Sequence, residues 1–216
     1  MQRVDVRREF QLAMRSGRTA KCRLIRRRQF DESDDGDSHF RICESQFMRS
    51  CSRSSAGTSQ GNMQRTLKEV VYVINPALIR RFQRKKEAMR RRLGAGGVNT
   101  ILAWHGTPSG NVDSIVEDNF SISRLSQNSG DSGYFGAGIY FSEFANVSQG
   151  YGDGLLLCQI MLGKAHRMTT VKMGCAQKKG CDSHMVVGGG KHSGKYGTEI
   201  VIFDVDQILP CYIVKS

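Results

Sequence analysis

The chain has 216 residues, of which 39% are hydrophobic and 8% aromatic, enough for one core with an extension or for two small domains. It contains no run of roughly 18 or more apolar residues, which argues against a membrane-spanning helix. Its formal net charge is +12, and the whole excess lies in residues 1–98, because residues 99–216 are close to neutral.

The seven cysteines are odd in number and scattered along the chain. This favours free thiols in a reducing compartment over a disulfide framework. The N-terminus also lacks the apolar segment of a signal peptide. We therefore expect an intracellular protein, located in the nucleus, the cytoplasm or both.

Residues 1–66 are rich in Ser, Arg and Gln, and a basic run at 26–28 precedes an acidic cluster at 31–37. Such a composition favours disorder, with at most a partly helical arm around 4–14. We predict a basic, disordered N-terminal extension over 1–66 and one ordered domain over 67–216. A fragment that starts near residue 67 is then expected to fold.

The ordered part should open with a strand and a basic helix. Residues 69–74 are mostly β-branched and predict a strand. Asn75 is a good helix cap and Pro76 suits the first helical position, while Leu78 and Phe82 lie on one apolar face. The opposite face is either a solvated surface or a phosphate-binding surface. Its cations are Arg80, Arg81, Arg84, Lys85, Lys86, Arg90, Arg91 and Arg92.

Three later stretches combine into a candidate site. Trp104-His105-Gly106-Thr107 ends an apolar run, and Gly133, Gly136 and Gly138 crowd together just before another apolar stretch. Glycine permits positive φ and close approach to a ligand, so the second stretch is a candidate ligand cradle. Glu199 opens a late apolar strand. The long irregular segment 163–197 is also expected to carry function.

These stretches together resemble the catalytic domain of the poly(ADP-ribose) polymerase family, the diphtheria-toxin-like ADP-ribosyltransferases. That family has a His-Gly at a strand end, a Gly-x-Gly-Ile-Tyr-Phe strand and a Glu that opens a late strand. The counterparts here are His105-Gly106, residues 136–141 and Glu199, followed after the middle strand by Ser148 and Tyr151. The resemblance covers about 67–216, and its opening helix looks like that of the macrodomain-type and CCCH-finger-type members.

The resemblance implies an α+β fold in which two packed, mostly antiparallel sheets with flanking helices surround an NAD cleft. It implies an NAD ADP-ribosyltransferase, a pentosyl-transferring glycosyltransferase that moves ADP-ribose to a macromolecular acceptor and releases nicotinamide. NAD is then the substrate, and no metal is needed. Glu199 would permit chain elongation, although one or many ADP-ribose units remain open.

The family pattern also implies a role for each residue of the site. The catalytic set is Glu199, which stabilises the cationic transition state, with His105 and Tyr140. Gly106 would pair with the nicotinamide carboxamide through its backbone, because no side chain blocks the approach. The expected substrate contacts are His105, Gly106, Thr107, Asn111, Tyr140, Ser148, Tyr151 and, at the pyrophosphate, Arg124.

Other readings compete with transfer to a macromolecule. The chain could be an inert module that binds nucleic acid or ADP-ribose, or an NAD glycohydrolase in which water attacks the sugar. Cys175, Cys181 and His184 suggest zinc, but three ligands at this spacing match no common zinc site. The expected partners are protein acceptors, including the chain itself, and RNA, DNA or poly(ADP-ribose) bound non-specifically by residues 1–98. No membrane partner is expected.

Overall fold

The computed structural model describes residues 4–26, 31, 33–54, 66–124, 133–186 and 199–215. Expectations for 55–61, 125–132 and 187–197 lie outside these ranges. The described helices are α1 (Val6–Ser16), α2 (Asp35–Ser54), α3 (Pro76–Leu93), α4 (Val112–Asp118) and α5 (Ala145–Ser148). The strands are β1 (Ala20–Ile25), β2 (Glu69–Ile74), β3 (Thr100–Thr107), β4 (Ile139–Ser142), β5 (Gly154–Met161), β6 (Ala165–Met168), β7 (Ser183–Val186), β8 (Glu199–Ile202) and β9 (Ile208–Lys215).

The strands form one sheet in the order β1-β2-β9-β5-β3-β4-β8-β7-β6. Neighbours are antiparallel except β6 and β7, which are parallel. β3 and β4 pair only at Trp104 and Ser142, so a five-stranded half and a four-stranded half separate on either side of this position. The predicted α+β class is confirmed, and the two expected sheets are the two halves of this one sheet.

The start of α3 follows the predicted capping chemistry. The Asn75 side-chain oxygen accepts from the backbone N–H groups of Ala77 and Leu78 at 3.1 and 3.2 Å, and Pro76 occupies the first turn. The amide nitrogen of Asn75 also donates to the carbonyls of Val116 and Glu117 at 3.0 and 2.8 Å. One side chain thus caps α3 and fixes it against the end of α4.

The predicted disorder of the N-terminal extension is wrong for the part of 1–66 that the structure describes, whereas α1 agrees with the helical arm expected around 4–14. All six residues of β1 pair with β2, so this segment is the first strand of the sheet. Phe40, Cys43 and Phe47 of α2 belong to the same buried cluster as Trp104. Their spacing of three and four residues places them on one narrow apolar face of the helix. The overall composition of the segment is dominated by the surrounding Ser and charged residues, so it does not reveal this face.

The basic face of α3 is partly engaged inside the fold. Arg81 and Lys85 form ion pairs of 2.7 Å with Asp206 and Asp204, and Arg92 pairs with Asp182. The contact with a polyanion remains a prediction. The three ion pairs leave fewer cations of α3 available for it. No helix within the described ranges is long and apolar enough to cross a membrane.

Replacing Phe47 by Ala tests whether α2 belongs to the folded domain. The ring is 2% exposed and meets Trp104 edge-on at 6.1 Å, so truncation should lower the free energy of unfolding by about 3–5 kcal/mol. Ile42→Ala on the same helix is the matched control, because Ile42 is 41% exposed. Equal, small losses of Tm in both variants would show that α2 is not part of the core.

Candidate active site

A cavity of about 710 Å³ lies where the two halves of the sheet separate. Its volume is within the usual range for small-molecule sites. All the predicted site residues except Arg124 line it. Arg124 ends a 3-10 turn at Ile122–Arg124, and its contact with a pyrophosphate remains a prediction.

His105 is held as a neutral imidazole in one tautomer. Its Nδ1 lies 2.8 Å from the carbonyl oxygen of Tyr140, which can only accept, so Nδ1 carries the proton and Nε2 is an acceptor. Burial lowers the pKa of His105 to about 4, and the hydrogen bond to Tyr140 opposes this effect. Phe120 and Phe141 fix the ring at centroid distances of 4.7 and 5.5 Å. The acceptor Nε2 suits a hydroxyl donor.

Gly106 is required by packing within the protein. A Cβ at this position would lie 1.7 Å from the carbonyl oxygen of Ser148, so β3 and the end of α5 are in backbone contact here. The glycine was expected to clear the way for a ligand, and the structure shows a constraint from the chain itself. The Ser148 hydroxyl donates to the carbonyl of Trp104 at 3.0 Å. Its oxygen retains the capacity to accept, which suits a carboxamide N–H.

The glycine-rich turn wraps the hydroxyl of Tyr140. That hydroxyl accepts from the backbone N–H of Phe135 at 2.8 Å and donates to the carbonyl of Gly136 at 3.0 Å. Gly133 and Gly136 have φ values of 79° and 124°, and a Cβ on Gly133 would lie 2.7 Å from the Tyr140 hydroxyl. Two of the three glycines of the expected ligand cradle therefore bend the chain around a tyrosine. The turn fixes the Tyr140 ring as one wall of the cavity.

Glu199 places a desolvated carboxylate in the wall of the cavity. The residue is 7% exposed and faces Ser142 across the β4–β8 pairing. Its Oε1 accepts from the hydroxyl of Tyr151 at 3.4 Å, and its Oε2 has no hydrogen-bond partner among the described residues. Burial raises the pKa of Glu199 above its usual range, and the Tyr151 hydrogen bond partly offsets this. An uncompensated carboxylate of this kind attracts positive charge strongly.

Tyr151 and the end of β3 complete the walls. The Tyr151 side chain is 55% exposed and lines the cavity beside Glu199, so its ring is open to a stacking ligand. Beyond His105 on β3, the Asn111 side-chain amide donates to the Thr107 hydroxyl at 3.2 Å. These two polar groups are fixed to each other and line the cavity.

Sequence reasoning missed two residues that shape the site. Phe120 packs edge-on against His105. Asn119, just before it, has φ of 75° and donates from its side chain to the carbonyls of Val205 and Ile208 at 2.9 and 3.3 Å. No local pattern marks Phe120. The Asn after a short helix is a weak signal, because Asn adopts positive φ more readily than most residues.

His184 supports the glycine turn and offers no nitrogen for zinc. Its Nδ1 donates to the carbonyl of Phe135 at 2.8 Å, and its Nε2 accepts from the backbone N–H of Lys178 at 3.0 Å. Both ring nitrogens are therefore engaged. In the described part of the chain, no three His, Cys, Asp or Glu side chains are grouped to hold a metal ion.

Comparison with protein-family models identifies the domain. The model described as the poly(ADP-ribose) polymerase catalytic domain matches residues 45–211. The match begins within α2, earlier than the predicted boundary at residue 67, and it includes every residue of the predicted site. Domains of this family use NAD as the donor of ADP-ribose. Since the match covers well over half of the chain, the protein belongs to the poly(ADP-ribose) polymerase catalytic-domain family.

Proposed function

We propose that this chain transfers ADP-ribose from NAD to a macromolecular acceptor and releases nicotinamide. The observation that carries the proposal is the Glu199 carboxylate, which is buried in the cavity wall with Oε2 unpartnered among the described residues. Burial of a charge without a partner is unfavourable for folding. A role in stabilising positive charge during a reaction accounts for its presence.

The reaction breaks one bond at the ribose anomeric carbon and forms another at the same carbon. The bond from the ribose anomeric carbon to the nicotinamide nitrogen breaks, and its electrons remain on that nitrogen, so nicotinamide leaves as a neutral molecule. Positive charge develops on the ribose, where the Glu199 carboxylate stabilises it. An acceptor oxygen then bonds to the anomeric carbon. A hydroxyl acceptor releases a proton to Glu199 or to water, and a carboxylate acceptor has none to release.

The remaining residues bind and orient the substrate. Tyr140 and Tyr151 supply the two aromatic faces for the nicotinamide ring, and the Ser148 oxygen accepts from its carboxamide. The Nε2 atom of His105 accepts from a ribose hydroxyl of the adenosine part. Thr107 and Asn111 extend the polar contacts toward the adenosine, and Arg124 is assigned to the pyrophosphate.

The geometry favours catalysis over an inert binding module. A module that only binds nucleic acid or ADP-ribose gains nothing from the buried carboxylate of Glu199, because both ligands are anionic. Hydrolysis of NAD differs only in that water replaces the acceptor, and it serves as a side reaction of the same site. We propose protein acceptors, including this chain, and a Glu199 that permits elongation where a ribose hydroxyl is the acceptor.

The first test replaces Glu199 by Gln and measures transfer and stability together. Transfer from labelled NAD should fall about 100-fold or more, while the Kd for NAD changes little. The free energy of unfolding at neutral pH should rise by about 0.5–2 kcal/mol, because a buried charge is removed. Since burial raises the pKa of Glu199, this gain should shrink as the pH falls and the wild-type carboxyl becomes neutral.

Glu87→Gln is the control for this test, because it makes the same change at an exposed position of α3. It should alter neither transfer nor stability. Near-normal transfer by the Glu199 variant would disprove the proposed role.

A second test removes only the Tyr151 hydroxyl. Its hydrogen bond lowers the pKa of Glu199 against the effect of burial, and the reaction needs the carboxylate form. The activity should therefore fall as the pH drops through this pKa. In Tyr151→Phe the fall should begin at higher pH, which a profile of kcat/KM against pH would show. An unchanged acid limb would mean that another group controls it.

A third test removes the Tyr151 ring. Tyr151→Ala should weaken binding of nicotinamide-like inhibitors by roughly 1 kcal/mol or more, because stacking is lost. Binding of free ADP-ribose should change little, and Tyr151→Phe should retain the inhibitor affinity. Equal losses for both ligands would show that the nicotinamide ring lies elsewhere.

A further inference from the structure

The connection from β5 through β6 to β7 carries positive charge that nothing in the described fold neutralises. Between residues 163 and 186 the only carboxylate is Asp182. It pairs with Arg92 of α3 and also accepts from the backbone N–H of Lys164 at 2.8 Å. The cations of this segment, named here the basic edge, are all exposed, and among the described residues none forms an ion pair. They are Lys164, Arg167, Lys172, Lys178 and Lys179.

The basic edge lies beside Glu199. Met168 at the end of β6 pairs with Val186 of β7, and Met185 of β7 pairs with Ile200 of β8, so the last residue of β7 lies next to Glu199. Neighbouring strands are about 4.8 Å apart, which places the end of β6 about 10 Å from the start of β8. The segment of the basic edge that follows β6 therefore starts about two strand spacings from Glu199.

The segment after β6 forms part of the rim of the cavity. The backbone N–H of Lys172 donates to the carbonyl of Tyr134, and that of Gly174 donates to the carbonyl of Gly133, both at 2.9 Å. Gly133, Tyr134 and Gly174 all line the cavity. The Lys172 side chain thus starts from a fixed point at the mouth of the site.

A contact through His184 also anchors the second half of the basic edge to the glycine-rich turn beside the cavity. The backbone of Lys178 is bonded to His184, whose ring meets that of His166 at 5.4 Å. The Nδ1 atom of His184 donates to the carbonyl of Phe135 in the glycine-rich turn. Lys172 and Lys178 are therefore anchored by hydrogen bonds to neighbouring parts of the glycine-rich turn, Lys172 directly and Lys178 through His184.

The exposed apolar side chains of this segment indicate the kind of anion that it suits. Val171 and Met173 flank Lys172 and are 37% and 56% exposed. Both are aliphatic, whereas binding of single-stranded nucleic acid relies on aromatic residues that stack on bases. Aliphatic side chains between lysines match a peptide in which acidic and apolar residues are mixed.

We propose that the basic edge binds an acidic, partly apolar segment of a protein acceptor and presents one of its carboxylates to the cleft. This inference rests on the proposed transfer reaction. The Glu199 carboxylate repels an acidic acceptor at close range, and the cations of the basic edge offset this repulsion. The acceptor carboxylate oxygen bonds to the ribose anomeric carbon as the bond to nicotinamide breaks, and no proton is transferred.

The test reverses two charges in the full chain and measures binding without NAD. The probe is a fluorescein-labelled peptide of alternating Glu and Leu, and its comparison peptide has Gln in place of Glu. The double variant Lys172→Glu with Lys178→Glu should raise the Kd for the Glu peptide about 10-fold or more at low salt, because attraction becomes repulsion. Wild-type affinity should fall as salt rises, and the Gln peptide should bind weakly to both proteins.

The matched control is Lys68→Glu with Arg84→Glu, which makes the same change in net charge at two exposed cations in the N-terminal half. It should change the Kd less than about twofold. Equal weakening in both double variants would overturn the proposal, since net charge alone would then explain the binding. Tighter binding of an oligothymidylate of equal charge than of the Glu peptide would also overturn it, in favour of a nucleic-acid acceptor.

A second readout separates this inference from the proposed function. In the Lys172 and Lys178 double variant, transfer to the Glu peptide should fall about 10-fold or more at low peptide concentration, while cleavage of NAD by water keeps its rate. If the wild-type chain binds the peptide as expected but does not cleave NAD, the transfer reaction fails and the binding surface stands. If NAD is cleaved but peptide transfer is insensitive to the charge reversal, the binding surface fails alone.

Discussion

The Glu199 carboxylate is largely removed from water without a countercharge among the described residues. The packing and strand pairing around it hold it in this position. All four residues of β8 are buried, and pairing with β4 sets the register that places Glu199 opposite Ser142. The apolar burial of the three residues after Glu199 offsets the unfavourable burial of its charge. The burial and pairing of β8 as a whole therefore hold Glu199, its first residue, in the cavity wall.

The N-terminal segment supports the site through a short series of contacts. Phe47 of α2 packs on Trp104, and the carbonyl of Trp104 accepts from Ser148 in the cavity wall. The Ser50 hydroxyl of α2 accepts from the backbone N–H of Ala145 at 2.6 Å, which fixes the start of α5. Both contacts meet where the two halves of the sheet separate. Elements far from the cavity in sequence thus hold the junction that creates it.

Motif residues could be predicted from the sequence because their chemistry is local. A His-Gly at a strand end, a Tyr after a glycine turn and a Glu that opens a strand each carry their own signal, and the structure brings them together around one cavity. The reasons for the glycines could not be predicted, since the neighbour of Gly106 is Ser148. The folded state of α2 could not be predicted either, because the residues that bury Phe40, Cys43 and Phe47 lie far away in the sequence.

The distribution of charge over the folded protein could not be predicted from the sequence either. Counted along the chain, residues 99–216 are nearly neutral, which places the positive field in the N-terminal half. In the fold, Asp182, Asp204 and Asp206 are engaged by Arg92, Lys85 and Arg81 of α3. The carboxylates that balanced the lysines of the C-terminal half are thereby neutralised by cations from the other half. The positive field consequently extends to β6 and the rim of the cavity, although the net charge of residues 99–216 is close to zero.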